Sequence, residues 1–428
     1  MQINKQNLYK LVKDLFPLHR SLVTDENEKT LDYISKKLKF KFNKITFKCG
    51  SKVYDWTIPK KWILKDAYIK NINGKKIIDV KKNNLHIMQY SHSVNKWINK
   101  KDIIKKIFTD TSKNAIPYVA SYYKKRWGFC ASKNQLKNLK GSKFYVKIDS
   151  QFKNEHLGIS EVLINGKSKK EIFFSTYICH PSMANDNISS VVVQAFLIKY
   201  IKENFKKTKY SYRFVFLPET IGSIAYISKK IKTLKKNVIF GFTLSCLGDD
   251  KNYSIINSPD GNCLSDLALE AALINFKKVK KYSFLDRGSD ERQYCSPRVN
   301  LPITGFTKSK YHTFKEYHTS LDNLTFISPK GLFESFNVLK RIINASENSD
   351  IFPISNFVCE PNLGKRHLLS TISKKNDGKN KTIKNFIAYC DGKRSIFEIS
   401  IILNKNLKEI VEICEKLFLK KLIRYKKI

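Results

Sequence analysis

Between residues 143 and 307 the chain alternates short, almost wholly apolar runs with segments of helical period, and this alternation is the strongest constraint on its fold. "KEIFFSTYICH", "YSYRFVFLPE" and "NVIFGFTLSCLG" are dense in Phe, Tyr, Ile and Val over strand-length stretches, as expected of strands covered on both faces. "KFYVKIDSQF", "GISEVLING" and "LPITGFT" also read as strands, and "ISSVVVQAFLIKYIKENF" and "LSDLALEAALINF" as helices. Strand and helix in turn predict an α/β fold, a mixed but largely parallel sheet with helices on both faces. Such sheets carry their chemistry at the carboxyl ends of the strands. His180, Glu219 and the loop after Leu247 fall there.

The flanking texture differs. Residues 1–45 read as helical, with Leu8, Leu11, Val12, Leu15 and Phe16 at three-four spacing before Pro17 interrupts the pattern. From about residue 46 to 115, short alternating and aromatic runs punctuated by Gly, Asn and Pro predict a small β-rich module. Its place in the chain points to a role at the rim of the cleft. Beyond residue 350 several short helices carry Ile396, Ile399, Ile402, Leu403, Ile410, Ile413, Leu417 and Leu422, followed by a basic "IRYKK" strand, the order of a winged helix. The expected division is a catalytic domain over 1–45 and 116–348, an inserted β-rich domain over 46–115, and a winged-helix domain over 350–428.

A formal charge of +43 invites a nucleic-acid reading, but 70 Lys stand against ten Arg, spread along the whole chain. Phosphate and base recognition favours the guanidinium fork, so specific nucleic-acid binding is not expected. Non-specific attraction to polyanions at low salt is. Nine cysteines without CxxC pairs, no leader-like N-terminus and no apolar run of membrane-spanning length predict reduced thiols in a cytoplasmic protein with no membrane span.

Candidate site residues cluster in four segments. "SKYHTFKEYHTSLDN" holds Tyr-His-Thr twice. His312 leads into Phe-Lys-Glu, whereas His318 leads toward Asp322, a carboxylate that can take a proton from one ring nitrogen and free the other for a metal. "YICHPSMANDNISS" ends a strand at His180 and sets Asp186 before a helix. His with carboxylate suits zinc. In "FLPETIGS", Glu219 follows a strand and is placed to act as general base. "FLDRGSDERQYCSPRVNLPITGF" is dense in charge, and Arg287, Asp290 and Arg292 are candidates to line a substrate pocket, with Tyr317 supporting an oxyanion.

Taken together, "CHPSMANDNISS", "PETIG", "SCLG", "GSDERQY…NLP" and "YHTSLD" resemble, in order, the motifs of zinc aminopeptidases related to aminopeptidase Y and glutamate carboxypeptidase. "VYDWTIPKKW", "SYYKKRWGFC", "RGSDERQYCSP", "EYHTSLDN" and "DGKRS" extend the likeness over nearly the whole chain. It resembles the bacterial aminopeptidase-like domain proteins found among surface-polysaccharide biosynthesis genes. The resemblance implies a three-layer αβα core, an inserted β-rich domain and a C-terminal winged helix-turn-helix. It places His180, Asp186 and His318 on metal-ligand positions and Glu219 on the general base.

Two further ligand positions of that pattern hold Thr220 and Ser245. Three ligands and a water compose a mononuclear site, so about one Zn2+ per chain is expected. Asp249 or Asp250 restores a ligand if the alignment slips. The implied activity is zinc-dependent hydrolysis of an amide bond in a small peptide or an amino-sugar amide, in surface-polysaccharide biosynthesis. The alternative is a catalytically divergent regulator or scaffold that binds DNA or protein through the winged helix. Homo-oligomerisation is left open.

Overall fold

The computed structural model describes residues 1–368 and 378–426. Residues 369–377 of the expected helical region, and Lys427 of the basic strand, lie outside the described residues. The main sheet contains β1 (Asn43–Lys48), β2 (His156–Ile164), β3 (Glu171–Tyr177), β4 (Ser211–Leu217), β5 (Val238–Leu244), β6 (Tyr253–Ile256), β7 (Val279–Tyr282) and β8 (Ile303–Thr307). Their spatial order is β1-β2-β4-β3-β5-β8-β6-β7. The central strands β4, β3, β5 and β8 run parallel. Antiparallel pairing joins β1 to β2, β2 to β4 and β6 to β8. The sheet is therefore mixed with a parallel centre. Strands β6 and β7 are additions to the sequence expectation: β6 is only four residues long and β7 is a half-exposed edge.

The two-residue period of the central strands sorts their side chains into two cores. Ile172 and Phe174 of β3, with Phe214 and Phe216 of β4, pack into one. Helices α1 (Lys5–Leu15), α2 (Asp25–Leu38), α3 (Ser190–Asn204), α5 (Leu264–Ala272) and α6 (Pro329–Asn348) cover that face. Phe173, Val215 and Leu217 point the other way, toward Ile224, Tyr226 and Leu234 of α4 (Ile221–Asn237) and the apolar side of the inserted module. Helix α3 is buried nearly all round, as befits a helix held between a sheet and two others.

The inserted module is built on a four-stranded antiparallel sheet in the order Lys76–Asp79, Lys61–Lys70, Lys143–Lys153, Val94–Asn99. This differs from the expected 46–115 boundaries. The strand Lys143–Lys153, expected in the catalytic domain, is an inner strand of the module, and β1 crosses the expected start of the insert. The reason is visible in its pattern: Phe144, Val146, Ile148 and Ser150 are buried while their neighbours are not. That is the alternation of a half-solvated antiparallel sheet rather than the continuous burial of β3, β4 and β5.

At the C-terminal end, α7 (Gly378–Ala388), α8 (Ile396–Leu403) and α9 (Leu407–Leu419) precede the strand Ile423–Tyr425, which pairs antiparallel with Pro353–Ser355. The winged helix docks on the core: the Phe397 ring meets Phe240 edge-on at 5.9 Å, and the Ile396 N–H donates to Ile351 O. Among the described residues no helix is long and apolar enough to cross a membrane.

Candidate metal centre

Strand β3 ends at Tyr177, and the chain stays beside the end of β4 through the Ile178 N–H bond to Leu217 O, which delivers His180 into the interior at 4% exposure. The turn that follows enters α3 through Ala184–Ser189, an irregular helical segment with a cis Asp186–Asn187 peptide. Asn187 fastens the turn. Its side-chain amide donates to Thr176 Oγ1 at 2.9 Å and Tyr177 O at 3.0 Å, and its Oδ1 accepts the Cys246 N–H at 3.1 Å. His318 arrives from the loop between β8 and α6. Its backbone is in the left-handed region (φ +53°), and its carbonyl accepts the N–H of Tyr118 at 2.7 Å. Ser182, Thr220 and Cys246, all beside the site, are also non-glycine residues at positive φ. Backbone held in sparsely populated conformations collects at functional sites.

His180, Asp186 and His318 are brought together with one ligand atom from each within 4.8 Å of the others. His318 Nε2 lies 3.1 Å from Asp186 Oδ2, yet that fully buried oxygen has no hydrogen-bond partner among the described residues. Tyr177 Oη donates to Asp186 Oδ1, so Oδ2 faces the His318 ring without a hydrogen bond. A buried carboxylate oxygen without a donor is costly unless a cation meets it. Two imidazoles and a carboxylate converging in this way fit a zinc ion. Burial drives the His180 imidazole down to about 4, offset only partly by Asp186, so the ring is neutral and its lone pair is available. Burial pushes the Asp186 carboxyl up, but His180 and His318 more than reverse it and hold it at about 2, ionised.

Glu219 lies just beyond the end of β4. Its Oε2 is 3.9 Å from His180 Nε2, and its Oε1 accepts from Ser289 Oγ at 2.8 Å. Burial first, then the charges of Asp290 and Asp186, raises this carboxyl well above its ordinary range. Thr220 accepts at Oγ1 from Arg292 Nη2 at 2.8 Å, and Ser245 gives its N–H to Phe306 O. Neither offers a carboxylate. Asp249 is committed elsewhere, to the amide of Asn185 and to the N–H and hydroxyl of Ser309, and Asp250 is exposed.

Several expected roles change. Asp322 is not bonded to the His318 ring. Its two oxygens accept the N–H groups of Asn185 at 2.6 Å and Asp186 at 2.8 Å, so it fixes the carboxylate ligand's backbone instead. Asp290 does not line an open pocket. It is buried, with Oδ1 taking the Thr220 N–H and the Ser223 hydroxyl, each at 2.8 Å, behind Glu219. Arg287 is exposed and folds over the Phe284 ring, bonding Phe284 O. Arg292 bonds Thr220, the residue after Glu219, and Tyr317 lies flat on the His318 ring at 3.9 Å.

Tyr118, Tyr122 and Tyr177 complete the surroundings without having been singled out in the sequence. The Tyr118 ring stands 5.0 Å from His318 and 5.3 Å from His180, and its hydroxyl meets that of Tyr122 at 2.6 Å. The aromatic density of "IPYVASYY" beside the inserted module is the only signal for Tyr118 and Tyr122, and Tyr177 is the last residue of the apolar run of β3. Replacing Asp322 by Ala removes the acceptors of two buried N–H groups and frees the Asp186 turn. Zinc affinity measured by competition with a chromogenic chelator is expected to fall by about 10–100-fold, with an unchanged affinity showing that the turn holds itself.

A family described as a domain of unknown function (DUF4910) matches residues 9–349, and a winged helix-turn-helix family matches residues 353–425. A Clostridium acetobutylicum protein, provisionally named a polysaccharide biosynthesis protein with aminopeptidase-like domain, is 39% identical over 399 residues, 92% of this chain and 90% of its own. A crystal structure from the same organism, provisionally described as a peptidase, aligns at TM-score 0.90 and 35% identity over 98% of this chain and 96% of that one. A zinc aminopeptidase from Bacillus subtilis shares the fold, at TM-score 0.58 and 14% identity over 81% of this chain and 95% of its own. The chain belongs to the DUF4910 family, an aminopeptidase-like α/β core followed by a winged helix.

Proposed function

We propose that the protein is a zinc-dependent hydrolase of amide bonds, with one zinc held by His180, Asp186 and His318 and with Glu219 as general base. The observation that carries this reading is the unpartnered, buried Asp186 Oδ2 facing two imidazoles next to a second carboxyl. Zinc bound there supplies Lewis acidity toward a water and toward the substrate carbonyl. Glu219, whose proton affinity is raised by burial and by Asp290 and Asp186, is the carboxyl placed to accept a proton from the attacking water and return it to the leaving amine. Ser289 fixes the orientation of that carboxyl through its hydroxyl. The neutral Thr220 and Ser245 and the committed Asp249 support one zinc rather than two.

The substrate is a small peptide-like or N-acylated amide. The name of the Clostridium acetobutylicum relative supports a setting in polysaccharide biosynthesis. Purified protein incubated with a panel of dipeptides, N-acylated amino acids, peptide amides and N-acetylated amino sugars, charged and uncharged, is expected to release amine from at least one class when loaded with zinc and to stop after chelation. Failure of the zinc-loaded protein to hydrolyse any member contradicts the proposal.

A further inference from the structure

Among the described residues, Arg292 is a permanent cation beside Glu219 that forms no ion pair. Arg292 lies in the short helical turn Glu291–Tyr294 and is only partly buried. Its Nε donates to Ser289 O at 2.9 Å and its Nη2 to Thr220 Oγ1 at 2.8 Å, both neutral acceptors. Among the described residues Nη1 has no hydrogen-bond partner, and no carboxylate forms an ion pair with the group. The same two residues tie it to the reaction centre: Ser289 Oγ bonds Glu219, and Thr220 follows Glu219 in the chain.

The acids nearest Arg292 are turned inward. Asp290 gives Oδ1 to the Thr220 N–H and the Ser223 hydroxyl, and Glu291 gives Oε1 to the N–H groups of Gly288 and Ser289 and to the Tyr311 hydroxyl. Apart from Glu219 itself, aromatic and imidazole rings border the ligand cluster on this side. Tyr317 lies on His318, and the exposed His312 ring stands 4.6 Å from Tyr317. A guanidinium anchored by two of its nitrogens, with a third free, is built to receive a carboxylate in a fixed orientation.

We propose that Arg292 determines substrate class by binding an anionic group, so that the protein acts on amides carrying a carboxylate near the scissile bond, and not on substrates identified by a free amine. This rests on the hydrolase reading for the location of the scissile bond. The guanidinium repels an ammonium group and offers nothing to an uncharged amide beyond one hydrogen bond, whereas a carboxylate gains a charge-assisted pair.

The test is calorimetric titration of the full-length, zinc-loaded protein with three probes of similar size: N-acetyl-L-alanine, its uncharged primary amide, and L-alaninamide. The carboxylate probe is expected to bind about ten-fold or more tightly than the other two. Arg292→Gln, with zinc content and circular dichroism matching the parent, is expected to reduce that preference to about two-fold or less, and Arg292→Lys to keep part of it. Equal binding of the three probes overturns the proposal, as does no binding of N-acetyl-L-alanine or a preference that persists in Arg292→Gln. Zinc content of the same samples separates the two ideas. A chain that holds zinc but shows no preference loses only the substrate assignment. A chain that binds no zinc yet shows an Arg292-dependent preference loses only the hydrolase.

Discussion

Glu219→Gln is expected to lower the hydrolysis rate by about 10²–10⁴-fold while leaving zinc content at the level of the parent. The substitution is nearly isosteric, and its side-chain oxygen can still accept the Ser289 hydroxyl that Glu219 Oε1 accepts at 2.8 Å. What disappears is the capacity to take and return a proton. Glu219 is not one of the three residues whose ligand atoms converge, so metal retention is expected to be indifferent to the change. Single-turnover measurements with saturating substrate, beside elemental analysis of the same protein, check both halves. A loss below ten-fold would assign proton transfer to another group, and loss of zinc would make Glu219 a ligand.

The second large effect is on stability. Arg213 of β4 is 3% exposed and forms a fork with Glu171 of β3, and its Nη1 reaches Glu161 of β2, which also receives the Tyr226 hydroxyl. Both glutamates are 3% exposed. Removing the guanidinium strands two carboxylates in a low-dielectric interior, where the penalty exceeds the value of the pair itself. Arg213→Met is expected to cost about 3–5 kcal/mol of unfolding free energy in a denaturant titration. Replacing Arg213, Glu161 and Glu171 together with apolar residues of similar volume is expected to recover most of that loss. A single-variant cost under about 1 kcal/mol would show that water reaches the cluster.

Much of this architecture can be read directly from the chain. The continuous apolar runs of β3, β4 and β5 announce a covered parallel centre, and His180 and Glu219 stand just past the ends of two of them. The two copies of Tyr-His-Thr also part by position: the His318 ring stands with His180 and Asp186, while His312 remains exposed. The reason for preferring His318 was different from the one in the structure. Asp322 acts on the backbone of Asn185 and Asp186, more than a hundred residues earlier. A carboxylate committed to remote N–H groups leaves no local pattern, because its partners are the same in every residue type.

The limits of the inserted module were misplaced for a related reason. The alternation in Lys143–Lys153 is a local signal of a half-exposed sheet, but the chain returns to β2 only three residues later. Sequence proximity to the core strands therefore outweighed periodicity. Arg287 and Asp290 shared a charged segment with Arg292, yet one folds onto its own Phe284 and another is buried as a backbone cap. Charge density marks a segment; it does not say which member faces the site.

The central claim is a metal centre made by His180, Asp186 and His318. It is tested most directly by elemental analysis of the purified parent protein beside His318→Ala and His312→Ala. About one zinc per chain in the parent and in His312→Ala, with zinc lost in His318→Ala, is the predicted result. Two zincs in the parent, or full retention of zinc in His318→Ala, would contradict it.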